Sequence, residues 1–139
     1  MEICMTNIEN ALLKTSHRYI DFVNRIGRGE AFVQMDEALL LFAPGCKKVF
    51  NGQLLMENRE SLVANLLSVY ETYGSWTHIP IDIIGASASN AVILRTRIET
   101  EHLGINTAII ILRFDSSNLI TEINEVFSPV KNHCDFKDQ

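Results

Sequence analysis

The chain is predicted to fold as an α+β protein in which three N-terminal helices pack on a strongly curved antiparallel sheet, a cone-shaped roll. Two observations predict this. Four apolar segments, Ile79 to Gly85, Ala91 to Glu101, Ile105 to Asp115 and Leu119 to Phe127, succeed one another with short polar breaks, as strands of a meander do. Segments with helical spacing of apolar residues precede them. The 139 residues suit one domain, taken as 1–130, followed by a polar tail from Lys131 to Gln139.

Thr6 to Ile26 reads as the first helix. Thr6 and Glu9 form a capping box, in which the hydroxyl accepts a free backbone N–H and the carboxylate reaches back. Ile8, Leu12, Tyr19, Phe22, Val23 and Ile26 lie on one stripe. Gly27 supplies a left-handed stop, with Arg25 favourable in the last turn. A second helix runs from Gly29 to about Leu40, with Phe32, Met35 and Leu39 on one side. Pro44-Gly45 is a turn, Lys47 to Phe50 a short strand, and Asn51-Gly52 a tight hairpin turn. Asn58 caps the third helix, Arg59 to Tyr73, which Gly74 ends. Leu62, Leu66, Val69, Tyr70 and Tyr73 mark its buried side, and Trp76 stands at the entry to the sheet.

Side chains alternate between the faces of a strand. Val92, Leu94, Thr96, Ile98 and Thr100 therefore face the helices together. Turns at His102 to Gly104 and at Ser116-Ser117 add Ala108, Ile110, Leu112 and Phe114, then Leu119, Thr121, Ile123, Glu125 and Phe127. Ile79, Ile81 and Ile83 join them from the first long strand, which turns His78 and Asp82 outward. The inner face is then apolar except for Thr96, Thr121 and Glu125. Desolvation disfavours a charged carboxylate, which makes Glu125 the candidate for proton transfer. The plainer reading is an acid near the open end of the sheet, solvated or paired with a Lys or Arg. Tyr19, Tyr70, Tyr73 and Trp76 are the candidates to meet a ligand from the helical side. Thr96, Ile110, Leu112, Thr121 and Ile123 are candidates from the sheet.

The outer face mixes Ile93, Ile109 and Ile111 with Arg95, Arg97, Glu99, Arg113, Glu122 and Asn124. A homodimer stacked through this face would cover the isoleucines. Alternatively, long Arg stems shield them in a solvated monomer.

Bulk properties narrow the partners. A net charge of −5 without a basic block disfavours nucleic acid, and Lys47 with Lys48 is too short a run to reverse that. No apolar run approaches the roughly 20 residues that cross a bilayer, and Met1 to Thr6 lacks the apolar core of a signal peptide. Cys4, Cys46 and Cys134 are scattered and odd in number, which suits reduced thiols in a cytoplasm. Neither the cysteines nor His17, His78, His102 and His133 have metal-ligand spacing. No glycine-rich phosphate loop is present, so no cofactor is implied. Ser16 and Ser128 have no visible histidine and acid partners for nucleophilic catalysis.

Leu41-Phe42-Ala43-Pro44 follows the second helix, and Asn51-Gly52 precedes Asn58-Arg59-Glu60. Trp76-Thr77-His78-Ile79 opens the sheet and Asn118 to Phe127 closes it. In this order of elements the chain resembles the nuclear-transport-factor-2-like superfamily, more narrowly its SnoaL-like branch of polyketide cyclases, ketosteroid isomerases and limonene epoxide hydrolase. The resemblance implies a cystatin-like roll and a carboxylate base or acid on the sheet wall, at a place Glu125 matches. Epoxide hydrolases of that branch add a tyrosine and an asparagine near the first strand. Here Phe50 stands where the tyrosine is expected, and Asn51 is a turn residue. Arg97 and Glu99 have the spacing of their Arg/Asp pair but face outward.

Two functions follow. One is a pocket for a small apolar ligand, serving an isomerase, cyclase or hydrolase that uses Glu125. The other is a non-catalytic dimerisation or protein-interaction module.

Overall fold

The computed structural model describes residues 7–30 and 35–129. Helix α1 (Asn7–Gly27) buries Leu12, Tyr19, Phe22, Val23 and Ile26 of the expected stripe, while Ile8, in its first turn, is exposed. Its end differs from expectation. Gly27 stays helical, and the left-handed turn falls at Gly29 (φ 75°). The N–H groups of Gly29 and Glu30 donate to the carbonyls of Ile26 and Arg25, closing the helix two residues late. Gly27 serves close approach instead: a Cβ there would lie 2.3 Å from the Trp76 carbonyl oxygen. Because Gly29 belongs to this turn, the second helix does not begin there. Helix α2 is Met35–Leu41 and buries Ala38 and Leu41, whereas Met35 and Leu39 are exposed. Thr6 and Phe32, invoked for capping and packing, lie outside the described residues, as does the polar tail.

Helix α3 (Arg59–Tyr73) has the expected bounds. Asn58 Oδ1 accepts the Ser61 N–H at 2.8 Å, and Gly74 (φ 80°) donates its N–H to the Tyr70 carbonyl at 2.9 Å. Leu62, Val63 and Leu66 are buried beneath it.

The sheet has six strands: β1 (Phe42–Phe50), β2 (Gln53–Met56), β3 (Trp76–Ala86), β4 (Ala91–Thr100), β5 (Gly104–Phe114) and β6 (Ile120–Pro129). Their order is β2-β1-β6-β5-β4-β3. The sheet is mixed rather than wholly antiparallel, because β1 runs parallel to β6. Asn51 and Gly52, both at positive φ, turn β1 back into β2. The core lies between the helices and the inner face, where Val92, Leu94, Ile110, Leu112 and Ile123 are fully buried.

Register shifts bend this sheet and alter two of the expected faces. The pairing of β3 with β4 slips between Pro80 and Asp82. A residue inserted on one strand reverses the alternation beyond it. Ile83 therefore sits inside opposite Leu94, but Ile79 and Ile81 are exposed, and Trp76 and His78 take the inner side. A second slip, between Arg113 and Phe114, pairs Phe114 with Ile120. Ile120 is buried there in place of Leu119 and Thr121, while Ile123, Glu125 and Phe127 keep the expected face. Asp82, Arg95, Arg97 and Glu99 point outward, as read from the sequence.

A Gly27→Ala substitution is expected to destabilise the chain by about 2 kcal/mol, since Trp76 packs against Gly27 and neither can easily retreat. At Gly45 an added carbon meets nothing within 4 Å, so Gly45→Ala stays within about 0.5 kcal/mol of the parent when both variants are compared with it by urea titration.

Candidate functional site

The parallel pairing of β1 with β6 aligns Lys48 with Ile123 and Phe50 with Glu125. Cys46, Lys48 and Phe50 alternate onto the inner side, so the strand delivers an ammonium group to the wall that carries Glu125. Lys48 Nζ stands 3.7 Å from Glu125 Oε1. Both residues are deeply buried, at 8% and 5% exposure. The β1–β2 pairing slips beside it, with Leu55 the extra residue on β2. Glu125 is thus not a lone acid on an apolar wall, and the plainer reading, that it is paired with a lysine, describes its surroundings. Nζ also lies 5.9 Å from the centroid of the Phe50 ring, which in turn packs on Phe127 at 5.8 Å. Burying two charges costs more than their attraction returns unless further polar groups help.

Two other polar side chains reach the same space. His78 projects from edge strand β3, where Asn24 of α1 holds its backbone. Asn24 Oδ1 accepts the His78 N–H at 2.7 Å, and Nδ2 donates to the His78 carbonyl at 2.9 Å. Burial, and then the charge of Lys48, push His78 down to about 4, so its imidazole is uncharged at neutral pH. Its Nδ1 is buried with no hydrogen-bond partner among the described residues. Tyr19 comes from α1. Burial, followed by the nearby Glu125 and Cys46, raises its phenol well above the usual range, so it stays protonated and able to donate. Cys46 is pushed up to about 12 by burial and by Glu122, which makes it an inert thiol.

Tyr19, Lys48, His78 and Glu125 line a cavity of about 350 Å³, near the lower end of the roughly 300–1,000 Å³ typical of small-molecule sites. Val23, Leu66, Val69, Ile98 and Phe127 supply apolar wall. Leu55, Tyr73 and Leu103 also line it and are exposed, forming its rim.

Of the residues read as site candidates, Glu125, Tyr19, Tyr73 and Trp76 line this cavity. Trp76 does so as a fixed wall. Its Nε1 donates to the Val23 carbonyl at 3.0 Å, and its ring meets Tyr70 edge-on at 6.2 Å. Tyr70 is turned away, toward Trp76 and Gly29. Thr96, Ile110, Leu112 and Ile123 are on the inner face but sit in the packed core, outside the cavity lining. Thr121 falls at the slip in β6, and its hydroxyl donates to the Arg113 carbonyl at 3.2 Å.

Lys48 and His78 were missed. Lys48 had no usable signal, because beside Lys47 it reads as part of an exposed charge run. His78 had a weak one, since Pro80 marks β3 as an edge or bulged strand whose alternation cannot be run through it. Among the described residues no group of three or more His, Cys, Asp or Glu is placed to hold a metal ion, and no helix is long and apolar enough to cross a membrane.

Helices laid over one concave face of a bent sheet, with a cavity between the layers, define the cone-shaped α+β rolls. No protein-family profile and no curated protein sequence matches the chain. Solved structures do. A candidate SnoaL-like polyketide cyclase from Jannaschia sp. CCS1 superposes with a TM-score of 0.73 at 14% identity, covering 91% of each chain. A nuclear-transport-factor-2-like protein of unknown function from Exiguobacterium sp. 255-15 gives 0.67 at 15% identity, covering 84% of this chain and 99% of that one. A cystatin-like-fold protein of unknown function from Methylobium petroleophilum PM1 also gives 0.67 at 15%, covering 90% of this chain and 80% of that one. The chain therefore has the SnoaL-like, nuclear-transport-factor-2-like fold, and at these identities the likeness is one of fold.

The surroundings of His78 carry a pH dependence. Its unfolded imidazole titrates near 6.5 and its folded one near 4. Between those values the unfolded chain holds the extra proton, so stability falls as pH drops from 6.5 toward 4 and is unaffected by this group above 6.5. The loss should approach about 3 kcal/mol at the acid end. Urea titrations across this range should show a flatter slope for His78→Gln, and an unchanged slope would mean that another group carries the acid sensitivity.

Proposed function

We propose that the chain binds a small, mainly apolar molecule bearing one oxygen function, in the cavity between α1, α3 and the inner sheet face. One observation carries this reading: Tyr19, Lys48, His78 and Glu125 converge on a cavity whose lining is mainly apolar. Convergent polar groups in an apolar hollow fix the orientation of a ligand whose body is held by burial. The same groups suit proton transfer. Glu125 is the acceptor, Tyr19 the donor to a ligand oxygen, and Lys48 the cation that stabilises negative charge as it develops. An isomerase, cyclase or hydrolase step fits that set, and the fold shared with the Jannaschia cyclase candidate agrees with it.

The fluorescent alcohol 6-methoxy-2-naphthalenemethanol is a suitable probe. Titration is expected to saturate at one molecule per chain, and Val69→Trp, which fills the cavity from α3, is expected to abolish binding. Non-saturating uptake that ignores Val69→Trp would remove this reading.

A second copy of the chain is the occupant we propose for the outer face. Ile84, Ile93 and Ile111 form one cross-strand row, and Ile109 pairs with Val126 beside it. Ile84, Ile109 and Val126 are exposed. The neighbouring charges are already matched, Arg95 with Asp82 at 2.7 Å and Arg97 with Glu99. An apolar row edged by satisfied charges favours burial against a like surface. Sedimentation at micromolar concentration should give a dimer, and Ile109→Lys a monomer whose far-ultraviolet circular dichroism matches the parent's. A monomeric parent chain leaves the face to solvent.

A further inference from the structure

We propose that Lys48 captures carbonyl compounds covalently, forming a Schiff base with an aldehyde or ketone held in the cavity. This deepens the ligand-binding reading and rests on it. Three features of the site point to it. The amine is buried yet lines a mainly apolar cavity, so a bound carbonyl carbon can reach it. A proton acceptor stands beside it, Glu125 Oε1 at 3.7 Å. That separation exceeds the roughly 2.7–2.9 Å of a tight charge-assisted hydrogen bond, which leaves the amine unclamped. Finally, β1 turns Lys48 to its covered side, where Nζ lies 5.9 Å from the centroid of the Phe50 ring, an apolar setting for the amine. Desolvated lysines facing a hydrophobic pocket are the amines that form Schiff bases.

The atoms balance with the residues present. The Lys48 ammonium passes a proton to Glu125. The neutral Nζ lone pair then forms the C–N bond, and the carbonyl π electrons move onto oxygen. A proton shifts from nitrogen to that oxygen, giving the carbinolamine. Glu125 returns its proton to the hydroxyl, which leaves as water while the nitrogen lone pair closes the C=N bond. The protonated imine keeps one positive charge at position 48, and Glu125 is again a carboxylate. The buried pair thus ends with the charges it began with, which removes the main electrostatic obstacle to chemistry at a desolvated lysine. The uncharged His78 beside it adds no second cation to oppose the imine.

The neighbouring lysine supplies an internal control, since Lys47 is exposed on the opposite side of the same strand. The experiment uses 6-methoxy-2-naphthaldehyde with sodium cyanoborohydride, followed by intact mass and peptide mapping. The expected product is a single reduced adduct on Lys48, exceeding that on Lys47 by at least about tenfold, because a bound carbonyl has a high effective concentration beside one amine. Val69→Trp should reduce labelling at position 48 to that at 47. Saturable binding of the matching alcohol, with aldehyde labelling no greater at Lys48 than at Lys47, would overturn the proposal and spare the binding function. Failure of both alcohol and aldehyde to bind would overturn the two together.

Discussion

The parallel docking of β1 against β6 is the constraint on which the site depends. Parallel neighbours need a long crossover between them, and here that crossover contains α3 and most of the sheet. The pairing can therefore form only after the chain between residues 50 and 120 has folded back on itself. Once it forms, Lys48 and Glu125, far apart in sequence, stand on adjacent strands of one face. The hairpin that follows β1 secures the arrangement from the other side. Asn51 donates its N–H to the Glu125 carbonyl at 2.8 Å, and its Oδ1 accepts the Phe127 N–H at 2.9 Å. Asn51 is thus a turn residue that also holds the backbone on either side of Val126 against β1.

The electrostatics of the cavity follow from this geometry. Lys48 and Glu125 cancel one another, His78 is uncharged because burial and Lys48 oppose its proton, and Tyr19 keeps its own. These four groups therefore bring little net charge to the cavity, which is compatible with an apolar content. Burial of an ion pair seldom stabilises a fold relative to well-packed hydrophobic residues. Lys48 and Glu125 are accordingly costly residues to place in this wall.

Much of the architecture was legible in the sequence because local signals and global fold agree. Asn58 and Gly74 bound α3 where a cap and a left-handed stop should, and strict alternation in β4 and β5 places Leu94, Ile98, Ile110 and Leu112 inside. Legibility failed where the period of two was broken. The slip beyond Pro80 exchanged His78 for Ile79 on the inner face, and the slip near Phe114 exchanged Ile120 for Thr121. A single inserted residue leaves no compositional trace, so alternation carried across it inverts every assignment on the far side. Glu125 escaped because no slip lies between it and Ile123. Lys48 was hidden differently: beside Lys47 it reads as part of a surface charge run, and only a partner strand some seventy residues later reveals its direction.

The clamp of Asn24 on His78 has a consequence beyond positioning the imidazole. Strand β3 is the outermost ribbon on its side of the sheet, and such borders invite pairing with strangers. The Asn24 amide presents one acceptor and one donor to the His78 backbone, as a neighbouring strand would. Pro80, two residues on, has no N–H to offer. Between a counterfeit neighbour and a missing donor, the border is sealed at the place where aggregation would otherwise find a template, and the histidine of the cavity is held by the same stitch.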